Sequence, residues 1–175
     1  MSASNTFRSV APATLTDNFF SRIGDDWMLI TAENSEGAVN TMTASWGGAG
    51  ILWNKPVAIC FIRPQRYTYG IVEDTDHLTL SFFPAGLYRD ALRYCGTKSG
   101  RDGDKFAATG LTVDRTSEGT PYPAEANLVL VCRKLYADDL KEGCFIDPAM
   151  LKHYPTKDFH RFYICEITEV LVKEA

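Results

Sequence analysis

The chain has 175 residues and a formal net charge of -4, with 45% hydrophobic, 12% aromatic and 23% charged residues. That composition supports one globular domain, residues 1–175, with a sizeable core, and excludes a disordered chain. The negative balance also excludes a broad nucleic-acid surface, which needs a basic field, while leaving room for a local anion pocket.

Residues 1–24 read as an N-terminal arm with a short helix near Asn18–Ile23. The arm lacks the apolar core of a signal peptide, and no apolar run in the chain approaches the length of a membrane span. A cytoplasmic protein without membrane or nucleic-acid partners is therefore expected. "WMLITA", Trp27–Ala32, is a strand; the turn formers of "ENSEGAVN" connect it to a returning strand, "TMTASW", Thr41–Trp46. "PVAICFI", Pro56–Ile62, reads as a buried strand that ends at Arg63-Pro64, because the residue before proline is pushed into extended geometry. "QRYTYGIVED" suits a short helix. "HLTLSFF", His77–Phe83, alternates, with Leu78, Leu80 and Phe82 on one face and Thr79 and Ser81 on the other. "LYRDALRYCG" is an amphipathic helix whose Leu87, Ala91, Leu92 and Cys95 share a face, and a polar glycine-containing loop then opens into another short helix. "EANLVLVCRKLYAD" and "HRFYICEITEVLV" are long C-terminal strands. Six strands with short helices between them predict a mainly β fold, a barrel or sandwich, rather than a doubly wound parallel sheet.

Several motifs are missing. "GAGILW", Gly48–Trp53, fails the dinucleotide fingerprint at its last position and leads into a strand. There is no phosphate-binding P-loop and no G-x-S-x-G elbow. His77, His153 and His160 show no metal-ligand spacing. The five cysteines form no C-x-x-C pair, and Cys60, Cys132 and Cys165 lie in apolar runs, as expected of reduced, buried thiols.

Four constellations bear on chemistry. Thr41, Thr43 and Ser45 put three hydroxyls on one strand face, with Met42 and Ala44 on the other and Trp46 at the end. Such a strand end can bind ring edges and phosphate oxygens, with the tryptophan as a wall, or it can be an ordinary half-exposed strand. "RPQRYT", Arg63–Thr68, offers two guanidinium groups and a hydroxyl to an anion, or serves as a surface turn. "GTKSGRDGDK" concentrates Lys98, Arg101 and Lys105 in a loop that either covers a phosphate or leads exposed into a capped helix. His160, at the head of a strand, is either a pocket residue or a surface one.

Taken in order, T-A-S-W, K-P-V, R-P-x-R-Y-T, S-G-R-D and "HRFYICEI" resemble the flavin reductase-like, FMN-binding split-barrel family, in particular its flavoredoxin-like branch. The resemblance spans Trp27 to Ile167. It implies a six-stranded Greek-key split β-barrel with short peripheral helices, assembled as a homodimer with one FMN per subunit near the interface. It implies that Asn40, Thr41, Met42, Thr43, Ala44, Ser45 and Trp46 hold the isoalloxazine edge and ribityl chain. Arg63, Arg66, Tyr67 and Thr68 would approach the phosphate, and Lys98 would add a phosphate or ring contact. His160 falls where related reductases carry a histidine near ring and nicotinamide. The activity implied is hydride transfer from NAD(P)H to FMN and on to free flavin or a redox protein. A flavoredoxin-like electron carrier and a non-catalytic flavin-binding module are the alternatives; Phe159 stands where such reductases often carry an acid.

Overall fold

The computed structural model describes residues 6–174. Ten strands run through them: β1 (Phe7–Val10), β2 (Met28–Glu33), β3 (Val39–Ala44), β4 (Gly47–Leu52), β5 (Lys55–Ile62), β6 (His77–Phe82), β7 (Val113–Arg115), β8 (Pro121–Pro123), β9 (Leu128–Asp139) and β10 (Arg161–Lys173). Short helices lie between them: α1 (Phe19–Ser21), which continues as a π-helical turn over Arg22–Asp26, α2 (Tyr67–Glu73), α3 (Arg89–Thr97) and α4 (Lys105–Thr109).

Eight strands form one antiparallel sheet in the order β3-β2-β6-β9-β10-β5-β4, with β1 added against β10; β7 and β8 form a separate pair. The six strands expected from the sequence are β2, β3, β5, β6, β9 and β10. The count is corrected upward by β1, β4 and the β7–β8 pair. β4 is the instructive addition. Its "GGAGIL" reads as turn-forming, yet it pairs along its length with β5, from Gly47 opposite Cys60 to Leu52 opposite Lys55. A Cβ on Gly47 would stand 2.7 Å from the Ile59 carbonyl, so this glycine serves close strand approach. The link between the two strands is Trp53-Asn54, both at positive φ (51° and 57°), as a tight two-residue hairpin turn requires. β3 begins and ends two residues earlier than expected.

β9 and β10 are long, and the ladder between them slips at Ile164/Cys165 and again at Ile167/Glu169. Such bulges bend and twist a ladder, which lets β10 pair with β5 through Arg161–Glu166 and with β1 through Val170–Lys173. The central strands are buried on both faces. Met28, Ile30, Leu78, Leu80, Leu130 and Tyr163 fill the barrel interior. Leu29, Val129, Val131, Leu92, Phe106 and Tyr122 form a second core beneath α3, α4 and the β7–β8 pair. Hence Thr79, expected on the face away from the leucines, is fully buried, its hydroxyl donating to the Pro121 carbonyl at 2.8 Å. Cys60, Cys95, Cys132 and Cys165 are free and buried; Cys144 is free and exposed. No described helix is long and apolar enough to cross a membrane.

Candidate functional site

Among the described strands β3 pairs with β2 alone, while β5 pairs with β4 and β10. Where β3 and β5 run side by side without a ladder, the sheet is split. A cavity of about 210 Å³ opens there, lined by Met42, Thr43, Ala44, Ser45 and Trp46 from the end of β3, Phe61 and Arg63 from the end of β5, Arg66 before α2, and His160 before β10. Ser45 and Trp46 also border a second opening of about 420 Å³, whose far side is Phe19, Phe20, Ile23 and Gly24.

One wall of the first cavity is aromatic. The Trp46 ring lies 5.1 Å from the His160 ring and 5.5 Å from that of His153, and Phe61 meets His160 edge-on at 6.3 Å. His160 is buried, and its Nδ1 hydrogen-bonds the Tyr154 hydroxyl at 2.9 Å. Burial, reinforced by the positive charge of Arg63, brings its imidazole down to about 4 against the opposing pull of Asp158. The ring is therefore neutral at ordinary pH, and Tyr154 fixes its orientation.

The two arginines differ in their partners. Arg63 ion-pairs with Asp158, donates to the His153 carbonyl at 2.9 Å, and lies over the Tyr154 ring at 5.1 Å. It fastens residues 153–158 against the end of β5. Gln65 joins the same carboxylate at 2.6 Å. Burial raises Asp158, but the hydrogen bonds from Arg63 and Gln65 outweigh it and bring the carboxyl to about 2. Arg66 meets no acid among the described residues. Its guanidinium donates to the carbonyls of Gly96 (2.6 Å) and Cys95 (3.0 Å), at the C-terminal end of α3.

Of the residues that the resemblance assigns to the cofactor, five do not line the cavity: Asn40, Thr41, Tyr67, Thr68 and Lys98. The Asn40 amide donates to the buried Thr68 hydroxyl at 2.8 Å. Thr41 bonds Thr31 at 2.9 Å and the Ile30 carbonyl at 3.2 Å, and Thr43 bonds the Leu92 carbonyl at 2.5 Å. The hydroxyl row thus fastens β3 to β2 and α3. The Arg101 guanidinium lies 5.3 Å over the Tyr67 ring. Lys98 is exposed, and its backbone N–H closes α3 onto Tyr94 at 2.9 Å.

The model of the flavin reductase like domain matches residues 20–175. The chain belongs to that family. No curated protein matches it significantly. Among solved structures it is similar to an FMN-binding domain of a flavin reductases-like enzyme from Shewanella baltica OS155, with a TM-score of 0.71 at 17% identity over 98% of this chain and 79% of that one. It is also similar to the flavoredoxin of Desulfovibrio vulgaris (Miyazaki F), TM-score 0.66 at 24% identity over 85% and 69% of the two chains. A third is an FMN-binding protein from Thermus thermophilus with bound p-hydroxybenzaldehyde, TM-score 0.67 at 21% identity over 96% and 83%. These likenesses establish a flavin reductase-like split-barrel fold.

In this flavin reductase-like chain, sequence reasoning did not single out Phe61, Tyr154 or Asp158 and gave His153 no place in the site, while Lys105 was noted only as one of three cations in a polar loop. Phe61 alternates into the cavity from a strand read as wholly buried. The others lie in loops whose folding back depends on tertiary contacts. For Lys105 a local signal exists: Asp104 caps α4 by accepting from Phe106 and Ala107, which fixes the lysine at the first position of a helix whose next residue enters the core.

Proposed function

We propose that this chain is an FMN-dependent oxidoreductase, of the flavin reductase type, that draws hydride from NAD(P)H. The reading rests on one observation. The cavity at the split has an aromatic wall on one side and, in Arg66, a guanidinium that no carboxylate among the described residues answers. A flat ring carrying a phosphate matches that pair of features, since guanidinium forks and phosphates are complementary. Trp46 is 43% exposed and can present its face to a ring.

FMN, when bound, supplies a ring that accepts hydride and passes the electrons onward. The chain's residues bind and orient. The main chain of Met42–Trp46 offers amides and carbonyls to a ring edge, and Arg66 holds the phosphate. Asn40 and Thr68 brace the segment that carries Arg66, and Lys98, without an ion pair among the described residues, is free to approach the anion. Neutral His160, held by Tyr154, offers a hydrogen-bonding nitrogen beside the ring. Residues 153–158, pinned by Arg63, shield that side from water. Free flavin or a redox protein takes the electrons. The second reading, a flavoredoxin-like carrier, is favoured by a His160 that is neutral and whose charged neighbours, Arg63 and Asp158, are spent on each other.

Purified protein should retain or take up FMN and turn yellow. Mixing it anaerobically with NADH and NADPH should bleach the flavin on a catalytic timescale. Bound FMN that does not bleach would replace the reductase by the carrier. A colourless protein that ignores added FMN would end both.

A further inference from the structure

Lys105, the first residue of α4, is only 3% exposed. Its Nζ donates to the Thr41 carbonyl of β3 at 2.9 Å and to the Cys95 carbonyl of α3 at 3.0 Å. Arg66 donates to the same Cys95 carbonyl at 3.0 Å. Two cations therefore converge on one carbonyl oxygen, and one of them lines the cavity. The ionisable groups that face Lys105 are Arg66, from the start of α2, and the Cys95 thiol on α3. Asp104, on its own element, turns its carboxylate to the amides of Phe106 and Ala107, and β3 presents a carbonyl. Neither Lys105 nor Arg66 takes part in an ion pair among the described residues.

Buried cations without anions are costly, and a lysine can escape that cost by losing its proton. A neutral amine has two N–H groups, and the two carbonyls accept both. Protonation adds a third N–H and a charge that no described residue neutralises.

We propose that Lys105 is a proton-linked positioning residue for the phosphate end of the ligand: it ties β3 to α3 beside Arg66, and its neutral fraction takes up a proton as the phosphate enters. This rests on the FMN reading of the cavity. Burial, aided by the Arg66 charge and opposed by Cys95, brings the ammonium down to about 8, so near that pH the amine is part neutral before the ligand arrives. A dianion at Arg66 favours the charged form. The proton comes from buffer and goes to Nζ, and no covalent bond forms or breaks. The phosphate monoester is already doubly ionised near pH 8, since its second pKa is about 6, and His160 is neutral there, so neither contributes.

Calorimetric titration of flavin-free protein with FMN at about pH 8, in two buffers of different ionisation enthalpy, counts the protons exchanged. We expect an uptake of roughly half a proton per FMN, and an affinity that falls roughly tenfold between about pH 7 and about pH 9. Riboflavin, which lacks the phosphate, should bind with no uptake. Lys105→Met and Lys105→Arg should both abolish uptake, the first because nothing titrates, the second because the charge is fixed. FMN binding to the wild type without proton uptake, or uptake that survives in the variants, would overturn the role of Lys105 and leave the flavin reading standing. No FMN binding to the wild type would overturn both. The wild-type count decides even where a variant fails to fold.

Discussion

His160 shows how one residue couples the candidate site to stability. Its ring is buried and neutral, and its folded-state value of about 4 lies below the ordinary histidine value of about 6.5. The unfolded chain therefore binds a proton between those two values and the folded chain does not. Stability from this group is complete above about pH 6.5 and is lost as pH falls toward about 4, at up to about 1.4 kcal/mol per pH unit. Asp158 titrates lower, toward about 2, so it leaves that window to His160. Replacing His160 with Asn should flatten the stability profile between about pH 6.5 and pH 4.5, read by urea unfolding at several pH values. A profile unchanged by the substitution would mean the ring is solvated and charged in the folded state. The same residue marks the limit of sequence reading. Its place at a strand head was legible. Its neutrality was not, because Tyr154 and Arg63 reach it through a loop and through the neighbouring strand β5.

At the scale of elements, the strands that were legible are those with a continuous apolar or alternating pattern. β4 was hidden because its pattern is glycine, and glycine reports a turn and a close approach alike. The loop between α3 and α4 carries a second close approach. A Cβ on Gly100 would stand 2.5 Å from both the Asn40 amide oxygen and the Tyr67 ring, so the loop can press on β3 and α2 only as glycine. Gly100→Ala must push the loop outward, moving Arg101 off Tyr67 and loosening the Asn40–Thr68 contact. We expect a loss of about 1–3 kcal/mol, the usual cost of overpacking, together with weaker FMN retention. Gly70, inside α2, has nothing within 4 Å of its absent Cβ. There Gly70→Ala should add about 0.5–1 kcal/mol by favouring the helix. Thermal unfolding of the two variants, with a flavin titration of each, checks both signs. If Gly100→Ala were neutral in both readouts, the loop would not be seated as described.

At the scale of the whole molecule, the two ends of the sheet are treated differently. At β3, Lys105 reaches the Thr41 carbonyl and α3 packs alongside, so that end is covered from within the chain. At β4 no described strand follows, and Ile51 is 75% exposed. Trp53, 56% exposed, sits at positive φ, a conformation that strains a bulky residue. Phe20, 92% exposed, stands across the larger opening from Gly47–Ala49. A strand edge without a ladder partner, flanked by exposed apolar side chains, invites pairing, and strain kept at an exposed tryptophan points to a use for it. We propose that a second copy covers this end, which brings the Trp46 opening to the interface of a homodimer. Trp53→Gly combined with Ile51→Thr separates this from a merely structural role. Glycine relieves the strained turn and threonine keeps a strand former, so the protomer should fold at least as well. Association, by contrast, should weaken by an order of magnitude or more, because the exposed aromatic anchor is gone. Sedimentation velocity over a concentration series should show a dimer for the wild type and a monomer–dimer mixture for the double variant, with circular dichroism unchanged. A wild type that sediments as a monomer at all concentrations would remove the homodimer, and the FMN site would then have to be complete within one chain.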